Sequence, residues 1–193
     1  MVGAALGPDD SVGRLFVAVA LSDEVRHGLA AHLNDAVEGS LPGRPLPADN
    51  WHITLRFLGE TSQRELEMLL HGLASGLSIA PFVVGFGALG AFPKPTKATV
   101  LWLGVARGGD ELATLASTAE DAALRAGFTP EERPFHPHLT LSRIRPQRDV
   151  TATVESVGRF PLTQMVDEVA VYRSHLEGGP ARYEVVETVG LVS

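Results

Sequence analysis

Two tetrapeptides of one pattern constrain this chain more than any other feature: His52-Ile53-Thr54-Leu55 and His138-Leu139-Thr140-Leu141. Each lies in a stretch that reads as a strand by its aromatic and β-branched content, WHITLRFLGE and PFHPHLTLSRI. The same order of elements leads to both. RLFVAVAL, a buried-strand pattern, is followed by a helix-patterned segment from Ser22 and then by the first motif. TVLWLGVA leads through GGDELATLASTAEDAALRAG to the second. Val17 precedes His52 by 35 residues and Trp102 precedes His138 by 36, so an α/β chain of two strand–helix–strand halves is expected.

Side chains alternate along a strand, so His52 and Thr54 face one way while Ile53 and Leu55 face the other. The same holds for His138 and Thr140 against Leu139 and Leu141. With the apolar partners in the core, each half offers an imidazole and a hydroxyl. If the halves pack about a pseudo-two-fold axis, one cleft holds all four groups. Imidazole titrates near neutral pH, so one histidine can accept a proton while the other donates one. A threonine hydroxyl can donate to a non-bridging phosphate oxygen as charge builds there. No carboxylate cluster suited to a metal is evident, so neither a metal nor another cofactor is expected.

By the same alternation Arg56 shares a face with His52 and is a candidate phosphate contact, whereas Phe57 and Arg143, five positions beyond each histidine, fall on the opposite face. The bland alternative is a pair of strand histidines bonded to neighbours, beside threonines that merely favour strands. His136 and His138, two apart on a strand, could share a metal, but no third ligand stands out. His136 is expected to orient or flank His138.

The 193 residues are 45% apolar and 20% charged, ordinary for a globular protein. A formal net charge of −7 argues against a broad nucleic-acid footprint but permits a grip on one phosphate or one RNA end. No apolar run is long enough for a membrane span, and the N-terminus has no basic start for a secretory signal. With no cysteine, disulfides and thiol catalysis are excluded, and a cytoplasmic protein is expected. Residues 1–12 are expected to form a flexible lead-in and 13–193 one domain.

Ser22 should cap the first helix and Thr61 the second, with His27 and His32 facing solvent. The third helix should close on Gly127. PFVVGFGALGAF, MVDEVAVYRS and ARYEVVETVGLV are expected strands, the last two joined by a turn at Glu177-Gly178-Gly179-Pro180. Trp51 and His175 are expected to be structural.

RLFVAVAL, WHITLRFLGE, the glycine-rich stretch before FPKP, VLWLGV, PFHPHLTLSR and VYRSHLEGGPARYEVV occur in that order. The chain from about Arg14 onward thereby resembles the 2H phosphoesterases, specifically the bacterial and archaeal RNA 2′,3′-cyclic phosphodiesterases also named 2′-5′ RNA ligases. The resemblance implies a bilobed α/β (α+β) fold with two mostly antiparallel sheets around a central groove. It implies metal-independent hydrolysis of a terminal 2′,3′-cyclic phosphate to a 2′-phosphomonoester, with reversible 2′-5′ RNA ligation where a 5′-hydroxyl replaces water. It marks His52 as proton donor and His138 as proton acceptor, a choice that the symmetry of the motifs leaves open. Phe57 and Arg143 are marked as substrate-facing, which requires a bulge or strand end to re-aim them. Tyr172 and Arg173 would lie near the groove, although a surface role fits them equally. The implied partner is an RNA end bearing a cyclic phosphate, with no membrane, no obligate protein partner and a monomer favoured, since one chain holds both motifs. An RNA-end binding module without turnover, and action on small cyclic nucleotides or 2′-5′ oligoadenylates, are the other readings.

Overall fold

Among the described residues, hydrogen-bond pairing of nine strands puts the two histidine motifs at the middle of one sheet. The computed structural model describes residues 10–37, 39–176 and 181–192. In chain order the elements are β1 (Ser11–Ala20), α1 (Asp23–Ala36), β2 (Arg44–Pro45), β3 (His52–Ser62), α2 (Gln63–Gly76), β4 (Phe82–Phe92), β5 (Ala98–Arg107) and α3 (Gly109–Ala126). Then follow β6 (His138–Arg148), α4 (Thr151–Ser156), β7 (Thr163–Val166), β8 (Glu168–His175) and β9 (Arg182–Gly190).

The sheet order is β7-β4-β5-β6-β3-β1-β8-β9, with β2 added on β6. Read outward from the β6–β3 centre, it is a palindrome of roles: β6 answers β3, β5 answers β1, β4 answers β8 and β7 answers β9. Every pairing between these strands is antiparallel. The two expected sheets are thus the two wings of one hydrogen-bonded sheet, joined at the centre through the pair Ile53–Leu139.

One face of the sheet carries the core. Leu15, Val17, Val19, Ile53, Leu101, Leu103, Leu139 and Leu141 are all buried there with the apolar sides of the helices. Helix α2 follows the first wing's motif strand and α3 precedes the second's, and the two helices meet at Gly72. A Cβ on Gly72 would come within 2.9 Å of the Ala122 Cβ, so the close approach needs a glycine.

Several local expectations hold. Ser22 caps α1, its hydroxyl accepting from the Val25 N–H at 3.3 Å. Gly127 closes α3 at φ 102°, in the left-handed region. Others shift. Ser62, not Thr61, caps α2, because Glu65 completes a capping box with it, while the Thr61 hydroxyl donates to the Gly59 carbonyl at 2.9 Å. His32 is half-covered rather than solvent-facing, with Nε2 3.2 Å from the Gly158 carbonyl and its ring on Phe160; His27 is exposed as expected. β1 begins at Ser11, inside the stretch expected to be a lead-in, and pairs there with Ser62. MVDEVAVYRS is not one strand: it breaks at Asp167, with β7 on the second wing against β4 and β8 on the first against β1. The turn expected at Glu177–Pro180 lies outside the described residues.

Candidate active site

The pair Ile53–Leu139 sets the geometry of everything on the opposite face. Both side chains are fully buried in the core, so the residues flanking them project the other way. In an antiparallel ladder the residue before one partner faces the residue after the other. His52 therefore falls opposite Thr140, and Thr54 opposite His138. The two histidines occupy the diagonal, a relation that spans about 7–8 Å in a regular ladder. That spacing lets one tetrahedral phosphate sit between the rings. The neighbouring strands leave it room: His52 pairs with Ala20 and Thr54 with Ala18, while His138 pairs with Gly104.

Each imidazole is held by the carbonyl two residues before it. His52 Nδ1 lies 2.8 Å from the Asn50 oxygen, and His138 Nδ1 lies 2.6 Å from the His136 oxygen. A carbonyl only accepts, so Nδ1–H donates in both and the neutral rings keep a lone pair on Nε2. Asn50 is itself fixed, its side-chain Nδ2 donating to the Ala181 carbonyl at 2.5 Å. The expectation that His136 orients His138 is met through its backbone.

Aromatic walls surround both rings. Phe16 packs on His52 with centroids 4.8 Å apart, and Tyr183 meets it edge-on at 5.2 Å. Tyr172 stacks on Phe16 at 5.2 Å and lies 6.0 Å from His52. Around His138 the wall is Phe92 at 5.1 Å, Trp102 at 6.2 Å and the His136 ring at 6.1 Å. Trp102 can lie over β4 only because residue 90 is glycine: a Cβ there would sit 2.2 Å from its ring. Burial among these groups disfavours the imidazolium. It lowers His52 to about 4, with the Asn50 carbonyl opposing the shift and the charges of His138 and Arg143 adding to it. His138 is also lowered, again chiefly by burial, with the His136 carbonyl opposing and the His136 charge adding to the effect.

Paired bulges re-aim the rest of each motif strand. On β3 the register jumps from Ala18–Thr54 to Val17–Arg56, so Leu55 is an extra residue. On β6 it jumps from Trp102–Thr140 to Leu101–Ser142, so Leu141 is the extra one. Alternation restarts beyond each bulge with the faces exchanged. Phe57, half exposed, turns to the groove and lies 6.0 Å from Phe16, and Arg143 is exposed on the same side. Arg56 goes the other way, which corrects its expected place beside His52. It is buried, paired with Glu120 of α3, and donates to the carbonyls of Phe57 and Thr129.

Tyr172 belongs to the groove wall. Arg173 is tied to the Val12 carbonyl at 2.8 Å and to Glu184 at 3.4 Å. Trp51 is core, and exposed His175 bonds Glu184 at 2.9 Å. Phe16, Asn50, Phe92, Trp102 and Tyr183 complete the site and were not singled out by sequence. Phe16 is hidden in the uninterrupted apolar run Leu15–Leu21, and Tyr183 reaches His52 only through the β8–β9 pairing. Among the described residues no group of three or more histidine, aspartate or glutamate side chains could hold a metal.

Two groove-facing Nε2 atoms flanked by two hydroxyls and a guanidinium can move one proton on and one proton off around a single phosphorus. A family model described as the 2′-5′ RNA ligase superfamily matches residues 20–178. The RNA 2′,3′-cyclic phosphodiesterase of Aeropyrum pernix is 37% identical over 129 residues, covering 66% of this chain and 73% of that protein. The protein of the same name from Escherichia coli (strain K12) is 34% identical over 174 residues, covering 88% and 92%. The crystal structure of E. coli LigT complexed with 3′-AMP superposes with a TM-score of 0.77 at 30% identity, covering 94% of this chain and 99% of that one. Its apo form gives 0.79 at 28% identity, covering 96% and 100%.

Proposed function

The chain belongs to the 2′-5′ RNA ligase superfamily, and from that membership we propose that it is an RNA 2′,3′-cyclic 3′-phosphodiesterase that works by paired proton transfer. The observation that carries the reading is the antiparallel crossing at Ile53–Leu139, which sets both His-x-Thr pairs on one face. His138 Nε2 accepts a proton from water as its oxygen attacks phosphorus in line. His52, protonated on Nε2, delivers that proton to the departing 3′ oxygen and leaves a 2′-phosphate. A proton on His52 is weakly held, since its pKa is lowered to about 4, and this suits donation to an alkoxide leaving group. Thr54 and Thr140 donate to the non-bridging oxygens as charge grows on them. Arg143 balances the phosphate charge, and Phe57 offers a face for a base. With a 5′-hydroxyl in place of water, the same step forms a 2′-5′ linkage.

One chain supplies both halves of the site, so the working unit is a monomer needing no protein partner. Among the described residues no helix is long and apolar enough to cross a membrane. With the cysteine-free sequence, this supports a cytoplasmic place. The test is incubation with an RNA ending in 2′,3′-cyclic phosphate in the presence of EDTA, followed by identification of the product. A 2′-phosphate formed despite chelator is expected. A 3′-phosphate would contradict the leaving group, and binding without turnover would favour an RNA-end binding module.

Thr54→Ala and Thr140→Ala should each lower kcat by about 10- to 10³-fold, the cost of one transition-state hydrogen bond. Their KM values should change less, because the bond strengthens only as charge develops. Single-turnover rates check this, and a loss confined to KM would make the threonines ground-state binders.

The pH profile carries a sign that follows from the lowered histidines. Both rings are neutral at pH 7 in the free protein, and the acid needs its Nε2 proton. An anionic phosphodiester between the rings favours the imidazolium and raises its pKa. The alkaline limb of kcat should therefore lie at higher pH than that of kcat/KM, which reports the free protein. Coincident limbs would show that bound phosphate does not touch the acid.

A further inference from the structure

A cleft of about 940 Å³ continues from the groove along β1 and β3, away from the histidines. It shares Phe57, Arg143 and Tyr183 with the site and adds Arg14, Arg133 and Leu176 further out. The volume is near the upper end of single-ligand pockets, roughly 300–1,000 Å³. From Arg14 to Phe16 on β1 and from Phe57 to Gly59 on β3 its walls run for roughly 7 Å at about 3.3 Å per residue, two steps of stacked bases at about 3.4 Å each.

The lining is chemically specific. Phe57 and Leu176 are 52% and 57% exposed, two large apolar side chains left open to water inside a cleft. Beside them stand guanidinium groups, against the trend of a chain with net charge −7. Arg133 is committed to Glu131, with bonds of 3.1 and 3.3 Å that hold this carboxyl below the usual carboxylate range. Arg14 is scarcely committed: its contact with Glu60 is 3.9 Å long and lies on exposed surface. Glu132 is the remaining carboxylate on the lining. An aromatic and an aliphatic face interleaved with an available cation match a single-stranded nucleic acid, whose bases stack while its backbone is tracked by charge.

We propose that this cleft is a subsite for the RNA strand upstream of the terminal cyclic phosphate, with Arg14 holding an internucleotide phosphate and Phe57 and Leu176 covering bases. The assignment rests on the phosphodiesterase reading for its direction, since the histidines fix which end of the strand lies at the groove. Its consequence is a preference for oligonucleotide ends over mononucleotides.

Two measurements test it separately from that reading. Calorimetric Kd values for adenosine 2′-phosphate and for a tri-adenylate ending in 2′-phosphate need no turnover. The trinucleotide should bind at least about 5-fold tighter, the worth of one stacked base at the low end. Arg14→Ala should shrink that ratio several-fold and flatten the salt dependence of trinucleotide binding by about 0.7 in log–log slope, the share of one phosphate contact on a single strand. Arg14→Lys should keep most of the slope. Equal Kd values for the two ligands, or a ratio and slope that Arg14→Ala leaves untouched, overturn the subsite. Turnover of adenosine 2′,3′-cyclic phosphate, followed in parallel, tests the phosphodiesterase reading instead.

Discussion

His52→Ala and His138→Ala should each lower kcat on an RNA 2′,3′-cyclic phosphate by about 10²- to 10⁴-fold, the usual worth of a positioned acid or base. That range corresponds to roughly 2.7–5.5 kcal/mol of barrier. Both rings sit on the groove face against the aromatic walls rather than in the aliphatic core, so the replacements remove proton transfer without opening a cavity in that core. The two losses should not add, since an attacking water without a base and a leaving oxygen without an acid are failures of one concerted step. A double variant should be only modestly worse than the worse single. The pH profiles distinguish the roles. His138→Ala should erase the acidic limb, where the base becomes protonated, and His52→Ala the alkaline limb, where the acid loses its proton. Near-normal rates in either variant would end the acid–base assignment. Exchanged limbs would keep the chemistry and reverse the roles.

How much of this was legible beforehand depended on whether a feature is local. The motifs, the strand–helix–strand duplication, the Ser22 cap and the Gly127 stop are written in residues within one turn or one strand of each other, and they are found where expected. The β7–β8 break at Asp167 is not marked by glycine or proline, because it results from two wings competing for one stretch of chain. The same limit applies to the site. His52 and His138 were visible as a repeated pattern, but strict alternation misplaced Arg56 and Phe57. The bulges at Leu55 and Leu141 exist only as a mismatch with neighbouring strands, which neither strand's own sequence declares. Their matched positions make the error instructive: in both halves the residue after the bulge turns inward, as Arg56 and Ser142, and the next turns to the groove, as Phe57 and Arg143. The aromatic walls follow the same logic, since Tyr183 approaches His52 through strands distant in sequence.

The inward turn of Arg56 leads to the second large effect, on stability rather than chemistry. The side chain is 8% exposed and ties three segments together: its own strand through the Phe57 carbonyl, α3 through Glu120, and the loop after α3 through the Thr129 carbonyl. Arg56→Ala leaves a carboxylate and two carbonyls without their donor. Removing one partner of a buried pair costs about 3–5 kcal/mol. Glu120 retains 26% exposure and can recover some hydration, which places the expected loss near the lower end, about 3 kcal/mol. At this chain length that lowers Tm by roughly 6–12 °C. Lysine should not rescue, because one ammonium cannot reach three acceptors in the planar fork that a guanidinium offers. Arg56→Met combined with Glu120→Leu should be less destabilised than Arg56→Ala, since the pair is then removed whole and no charge is stranded. Denaturant midpoints for the three variants measure this, and kcat/KM of the folded protein should stay within a few-fold of the parent. A variant of normal stability that fails to bind cyclic-phosphate RNA would return Arg56 to the groove and unseat the bulge at Leu55 as the device that orders this strand.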